Sequence, residues 1–117
     1  MHKPTNTDTG FTLLELLVAM AVLGILATIA LVQYAEYKGR GFDARAESSL
    51  RMVVAAEEAY FIENSSYVPC TQANCHSTLA GVVRIESGIT LNIASTGASF
   101  SGTATHNQGT GEIFSYP

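Results

Sequence analysis

The hydrophobic and polar positions divide this chain into four zones of different character. Residues 1–10 are polar, and residues 11–32 are almost entirely apolar. Residues 33–64 mix charged and apolar side chains at helical spacing, whereas residues 65–117 are rich in Gly, Ser, Thr and β-branched residues. We expect the two middle zones to form one long helix and the last zone to form a small β-rich head in a chain of one domain.

The second zone is long and apolar enough to cross a membrane. Between Leu16 and Val32 it contains no charged residue and no proline. The 22 residues from Phe11 to Val32 would extend about 33 Å as a helix, which matches the hydrocarbon core of a bilayer. A helix that is apolar on every side needs cover all round, and the ~50 residues outside the helix cannot supply it. We therefore expect this segment to lie in a membrane or in a bundle of copies of itself.

A secretory signal peptide is the alternative interpretation of this segment. The apolar region of such a peptide runs about 7–15 residues, follows a basic stretch and ends at a small-residue cleavage site. Here the run is longer, the basic stretch is Lys3 alone, and no convincing cleavage site follows. The segment is therefore expected to stay in the mature protein.

Glu15 is an acidic residue inside the apolar zone, four residues after Phe11. A carboxylate in hydrocarbon is unfavourable by several kcal/mol, so it marks a functional position whose partner has to be identified. One interpretation places Glu15 at the lipid headgroups, near a helix N-terminus that favours negative charge. The other holds that Glu15 is kept for a cationic partner that arrives later.

The third zone has the pattern of an amphipathic helix, with apolar residues at steps of three and four. The apolar stripe consists of Phe42, Ala46, Leu50, Val53 and Phe61. The charged residues placed on other faces are Asp43, Arg45, Glu47, Arg51 and Glu58. The helix is expected to run from Phe11 to about Asn64, where the sequence Asn-Ser-Ser is typical of a helix end, and to lay its stripe on a small sheet.

The last zone contains several strand patterns. Ile89, Leu91 and Ile93 alternate with polar residues, and residues 82–85 precede them across a hairpin-like turn at residues 86–88. A second alternation covers residues 100–104, and residues 113–116 follow a Gly-rich turn. The predicted fold class is therefore α+β, with a long N-terminal helix packed on an antiparallel sheet of three or four strands.

The run GFTLLE at residues 10–15, followed at once by the apolar helix, resembles the processing site of type IV pilins and the related pseudopilins. The resemblance implies that residues 1–10 are a leader removed by a dedicated membrane peptidase, which cuts between Gly10 and Phe11. It further implies that Phe11 becomes the N-methylated first residue and that Glu15 is the acid of assembly. Residues 11–32 would then form the membrane and filament-core helix, residues 33–64 its amphipathic half, and residues 65–117 the head.

The same resemblance supplies a cation for Glu15, because cleavage creates an ammonium group at Phe11 that can pair with Glu15 of an adjacent subunit. The implied partners are further copies of the chain in a helical filament, the peptidase and the assembly machinery. The implied location is the inner membrane before assembly, with the N-terminus in the cytoplasm, and an extracellular pilus afterwards.

Cys70 and Cys75 lie between the helix and the sheet, and an even count outside the cytoplasm favours a disulfide. The alternative interpretation is that Cys70-x4-Cys75-His76 is a lengthened haem-attachment pattern, with a second histidine such as His106 completing the iron. Zinc binding is less favoured because a disulfide competes for the thiols. We expect no cofactor and no metal.

The charge and motif content exclude several classes of function. With a formal net charge of −4 and only six Lys and Arg residues, the chain offers no basic stripe for nucleic acid. No spacing of nucleophile, base or phosphate-binding residues suggests an enzyme. The predicted function is that of a structural pilin, and the alternatives are a secretion pseudopilin, a membrane-anchored haem protein, or an anchored binding module that does not polymerise.

Overall fold

The computed structural model describes residues 1–3 and 9–117 and confirms the predicted α+β fold, a long N-terminal helix packed on a small antiparallel sheet. The elements in chain order are α1 (Leu13–Asn64), β1 (Cys70–Thr71), α2 (Cys75–Thr78), β2 (Ile89–Ser95), β3 (Phe100–His106) and β4 (Phe114–Tyr116). Internal contacts divide the chain into two compact units, Met1–Tyr34 and Ala35–Pro117.

The helix α1 ends where the sequence predicts. Asn64 is its last residue, and Ser65 takes a positive φ of 56°, the left-handed conformation that closes many helices. The Ser65 N–H donates to the carbonyl oxygen of Phe61 at 2.7 Å, and the Asn64 side-chain amide donates to the carbonyl oxygen of Tyr60 at 3.1 Å. These bonds satisfy acceptors that the last turn would otherwise leave open.

The sheet has four antiparallel strands in the order β1-β2-β3-β4. Its centre is the β2–β3 hairpin, in which Ile89 is paired with His106 and Ser95 with Phe100. Gly97, at the turn, has a positive φ of 84°, which a glycine adopts without strain. Because side chains alternate along both strands, one face of the hairpin is buried and the other is exposed.

The prediction of a strand over residues 82–85 is wrong. These residues form an irregular segment, although Val82 and Ile85 are buried in the core. The edge of β2 that they would need is taken by β1, whose Cys70 and Thr71 pair with Ile93 and Asn92. Both β1 and the short helix α2 were missed, because each contains too few residues to form a periodic pattern.

The core lies between α1 and the buried face of β2 and β3. Ala46, Leu50 and Val53 are buried on α1, as predicted. The strands and loops contribute the buried residues Leu79, Ile89, Leu91, Ile93, Phe100 and Ala104, among others. The packing is close at Gly102, because a Cβ there would lie 2.6 Å from Ile93 Cδ1 and 2.9 Å from Leu50 Cδ1.

The buried stripe of α1 differs from the predicted one at its margins. Phe42 and Phe61 are only half-buried, whereas Asp43, which the pattern placed on a polar face, is 4% exposed. The Asp43 carboxylate accepts hydrogen bonds from the Thr110 N–H at 3.1 Å and the Thr110 hydroxyl at 2.6 Å. A buried carboxylate is tolerated when it is hydrogen-bonded in this way. Asp43 thus fastens the loop after β3 to the helix.

Glu57 is a second acid on the buried side of α1, and no pattern in the sequence singled it out. Its side chain is fully buried, and Oε2 accepts a hydrogen bond from the Val68 N–H at 3.2 Å. Oε1 has no partner within residues 1–3 and 9–117. Burial raises the pKa of Glu57 above its ordinary value; the Val68 N–H opposes this shift, and the neighbouring Glu58 adds to it.

Cys70 and Cys75 form the disulfide expected from the sequence, with their Cα atoms 5.0 Å apart. It joins β1 to the first residue of α2, and both cysteines are buried. Because the bridge closes a loop of only a few residues, it restricts the unfolded chain less than a long-range bridge would.

Replacing both cysteines by serine should lower the free energy of unfolding by about 2–3 kcal/mol, the range expected for a short closed loop. The measurement is denaturant unfolding of the full chain in detergent micelles, followed by circular dichroism. Reduction of the unsubstituted chain is the control, because it opens the same bridge without adding hydroxyl groups. Equal midpoints for oxidised and reduced protein would contradict a stabilising role.

The raised pKa of Glu57 predicts a specific dependence of stability on pH. A carboxyl group whose pKa is raised by folding contributes stability that is fully present below its unfolded value of 4.5 and is lost as the pH rises through the folded-state value. Glu57→Gln cannot ionise and keeps an acceptor for the Val68 N–H. We therefore expect its melting temperature to exceed that of the unsubstituted chain at pH 7 and to approach it at pH 4.

The matched control for this prediction is Glu63→Gln, because Glu63 is an exposed acid on the same helix. Its effect on the melting temperature should be small at both pH values. A difference between Glu57→Gln and the unsubstituted chain that is equal at pH 4 and pH 7 would rule out the assigned titration.

Candidate functional site

The start of α1 is built from a reciprocal pair of side chain–backbone hydrogen bonds. The Glu15 N–H donates to Thr12 Oγ1 at 3.2 Å, and the Thr12 N–H donates to Glu15 Oε2 at 3.2 Å. The Thr12 hydroxyl also lies 3.4 Å from the same carboxylate oxygen. This is a capping box, in which Thr12 is the N-cap and Glu15 the third helical residue. The pair therefore fixes where the helix begins.

The capping box gives Glu15 a partner within its own chain. The N–H of Thr12 and the positive end of the helix dipole both favour a negative charge at this position. From the sequence, Glu15 was expected either near a helix N-terminus or beside a later cationic partner, and the role of Thr12 was not predicted. The signal was present as Thr12-x-x-Glu15, a threonine three residues before a glutamate at the start of an apolar run.

The peptide bond between Gly10 and Phe11 precedes α1 and is open to solvent. Phe11 is 90% exposed, and a Cβ built at Gly10 would meet no atom within 4 Å. A bond outside a helix, flanked by an uncrowded glycine, can enter the extended cleft of a peptidase. The predicted leader of residues 1–10 lies partly outside the described residues, and cleavage after Gly10 stays a prediction.

The apolar half of α1 buries none of its side chains within the chain. Every residue from Leu13 to Val32 is exposed, including Leu, Ile and Val side chains on all sides of the helix. By length and composition, α1 can cross a membrane. Soluble monomers rarely leave an apolar surface of this extent uncovered. The segment therefore requires cover from outside the chain.

The disulfide bears on the alternative in which Cys70-x4-Cys75-His76 attaches a haem. Attachment requires both thiol groups, and here the two sulfur atoms are bonded to each other. His106, the candidate second ligand, is buried against Phe42 with ring centroids 4.6 Å apart, and its Nδ1 accepts a hydrogen bond from the Gln108 N–H at 3.0 Å. The structure gives the haem alternative no support.

Within residues 1–3 and 9–117, no three or more His, Cys, Asp or Glu side chains are grouped so that they could hold a metal ion. The buried acids Asp43 and Glu57 accept hydrogen bonds from Thr110 and Val68. The residues singled out from the sequence therefore fall in two places: Gly10, Phe11 and Glu15 at the start of α1, and the cysteine pair beside β2.

Comparison with known proteins places the N-terminal region in a described family of sequences. Residues 5–31 match the family model for the prokaryotic N-terminal methylation motif. The match covers the Gly10–Phe11 junction, Glu15 and nearly all of the apolar helix.

Several curated proteins are similar to the chain. The type IV major pilin protein PilA of Myxococcus xanthus is 34% identical over 58 residues, which is 50% of this chain and 26% of the relative. A fimbrial protein of Pseudomonas aeruginosa is 41% identical over 59 residues, or 50% of this chain and 38% of the relative. The chain thus spans well under half the length of these two relatives.

A third similarity extends through most of the head. The type IV wide pilus major component PilA4 of Thermus thermophilus is 31% identical over 102 residues, which cover 86% of this chain and 76% of the relative. A match of this length extends beyond the N-terminal half of the chain into the head. The chain therefore belongs to the type IV pilin family.

Proposed function

We propose that this chain is a structural subunit of a type IV pilus. Its residues 1–10 are a leader that a prepilin peptidase removes, and Phe11 then becomes the N-methylated first residue. Residues 11–32 hold the subunit in the inner membrane and later form the filament core, residues 33–64 are the amphipathic half of the helix, and residues 65–117 are the head. The observation that supports this most directly is the fully exposed apolar half of α1.

Two environments can cover this apolar surface. We propose that the subunit lies first in the membrane and then in the filament. In the membrane, lipid chains surround a helix whose backbone groups are satisfied internally. In the filament, the same surface meets the apolar helices of other copies. Transfer between the two exchanges one apolar neighbour for another, so apolar burial alone does not select the register of the subunits.

The proposed source of register is the pair formed by Glu15 and the ammonium group that cleavage creates at Phe11. Each charge is unfavourable in apolar surroundings, and both are compensated when Glu15 of one subunit meets Phe11 of the next. A buried ion pair of this kind contributes specificity more than stability. The contact joins two different surfaces, so it repeats from copy to copy without closing and generates a filament.

The capping box refines this proposal. Before assembly, the Thr12 N–H and hydroxyl partly satisfy the Glu15 carboxylate, as the hydrogen bonds at 3.2 and 3.4 Å indicate. Both donors approach the same oxygen, Oε2, which leaves Oε1 for a group from outside. The pair with a neighbouring Phe11 ammonium therefore adds to the cap and does not have to replace it.

We infer that the chain acts by assembly and not by catalysis. The relatives are named as pilins, pilus components and fimbrial proteins, which are structural roles. The partners proposed for this chain are other copies of itself, the peptidase and the assembly machinery. Its proposed final location is the extracellular pilus.

Substitution of Glu15 separates its two possible roles. Gln fits a capping box as well as Glu but has no charge, so Glu15→Gln keeps the helix start and removes only the ion pair. Breaking a buried ion pair costs about 3–5 kcal/mol, and we expect the yield of sheared surface filaments to fall about a hundredfold, with the precursor still present in the membrane.

Glu36→Gln is the matched control, because Glu36 is an exposed acid on the same helix, paired to Arg40 at 2.5 Å. It should leave the filament yield unchanged. A normal yield from Glu15→Gln, together with a loss in Glu15→Ala, would assign Glu15 to helix capping alone. Mass spectrometry of the filaments should show a chain that starts at Phe11 with one added methyl group; filaments that retain residues 1–10 would refute the proposal.

A further inference from the structure

Two large apolar side chains of the unit Ala35–Pro117 stand out by their exposure to solvent. Ile62 is 82% exposed and Tyr37 is 78% exposed, more than Val83 and Ile113, which are each 67% exposed. Both belong to α1, one near the first residue of this unit and one at the end of the helix. Neither contributes to the core that holds the helix on the sheet.

Each of these side chains is next to a charged residue, and the two charges are opposite. Lys38 follows Tyr37, and Glu63 follows Ile62. The ion pairs among the described residues join Arg40 to Glu36, Arg45 to Glu86 and Arg51 to Glu47, and they include neither Lys38 nor Glu63. We name Tyr37 and Lys38 the basic patch, and Ile62 and Glu63 the acidic patch.

The position of Glu63 in the helix favours a cation close to its carboxylate. It lies in the last turn of α1, where the helix dipole disfavours a negative charge. This turn contains no basic residue of its own. A cation supplied from outside would offset the unfavourable interaction between the Glu63 carboxylate and the helix dipole.

The two patches share one face of the helix. They are separated by 25 positions in the sequence, which corresponds to about seven turns and about 37 Å of helix. At 3.6 residues per turn, this face lies roughly opposite the buried stripe of Ala46, Leu50 and Val53. Tyr37 and Ile62 therefore lie on the side of α1 that faces away from the chain's own sheet. Lys38 and Glu63 are each one residue further along and so lie about 100° round the helix, at the flank of this face. There the Lys38 ammonium is 5.9 Å from the centroid of the Phe42 ring.

We propose that the basic patch of one subunit docks on the acidic patch of a second copy of this chain. The contact pairs Lys38 with Glu63 and packs Tyr37 beside Ile62. The inference rests on the proposed function, because subunits that share a filament axis with their sheets outward turn this face of α1 toward one another. The two patches differ, so the contact is heterologous and repeats without closing.

This contact and the one at Glu15 involve different neighbours. Pairing Phe11 with Glu15 shifts two copies by four residues, or about 6 Å along the helix, whereas pairing the two patches shifts them by about 37 Å. A subunit would thus be tied to a near neighbour through its N-terminus and to a more distant one through the patches. Opposite charges at a fixed axial distance also disfavour other shifts, which would place like charges together.

Charge reversal tests the pairing directly in cells that assemble the full-length chain. Lys38→Glu and Glu63→Lys should each lower the yield of sheared filaments at least about fivefold, because each places like charges in contact. The double variant Lys38→Glu/Glu63→Lys restores opposite charges, and its yield should return to within about twofold of the unsubstituted chain.

Arg84→Glu and Glu112→Lys are the matched controls, since they make the same charge changes at exposed positions outside α1. Both should assemble as the unsubstituted chain does. Normal yields from the two single patch variants, no recovery in the double variant, or an equal loss in the controls would each overturn the proposed contact. Filaments that form normally in the patch variants but not in Glu15→Gln would overturn this inference alone, whereas absence of filaments from the unsubstituted chain would overturn the proposed function as well.

Cross-linking gives a second measurement that does not depend on yield. Filaments carrying both Tyr37→Cys and Ile62→Cys should, after mild oxidation, run as a ladder of covalent multimers on a non-reducing gel. The pair Tyr37→Cys with Ile113→Cys is the control, because Ile113 is similarly exposed but outside the patches, and it should give no ladder. Equal ladders from both pairs, or none from the first, would contradict the contact.

Discussion

The whole arrangement depends on an apolar helix that its own chain cannot cover. Every side chain between Leu13 and Val32 is exposed, and the core that the rest of the chain builds is already filled by Ala46, Leu50, Val53 and the strands. The hydrophobic effect therefore drives this segment to find cover in lipid or in other copies. A chain with this property is expected to act within a membrane or an assembly of copies and not as an isolated monomer.

The head is held to the helix by a different balance of forces. Its apolar core is small, and α1 approaches β3 so closely that a Cβ at Gly102 would require the ends of the Leu50 and Ile93 side chains to shift. Two buried acids supplement this packing, Asp43 by binding Thr110 and Glu57 by binding Val68. Each ties an irregular segment to the helix. The disulfide joins β1 to α2.

The sequence predicted those features that depend on local pattern. A long apolar run defined the first half of α1, steps of three and four placed Ala46, Leu50 and Val53, and strict alternation revealed β2. It failed where short apolar runs pack without regular pairing, as at residues 82–85. The burial of Asp43 could not be foreseen, because its partner Thr110 is 67 residues away and only the folded chain brings the two together. The role of Thr12 differs, because its signal, the spacing Thr12-x-x-Glu15, is local and could have been found in the sequence.

Four acids of α1 differ in burial and in their position along the helix. Asp43 and Glu57 are buried and bound by groups of their own chain, so they serve the fold. Glu15 and Glu63 stand exposed at opposite ends of the helix, where the dipole favours the first and disfavours the second. The helix dipole stabilises the Glu15 carboxylate at the start of α1 even when no neighbouring subunit is present. It destabilises the Glu63 carboxylate in the last turn unless a cation is supplied from outside. Both effects suit a filament subunit. Glu15 is stabilised before assembly, whereas Glu63 gains a favourable interaction only when assembly brings a cation from another copy.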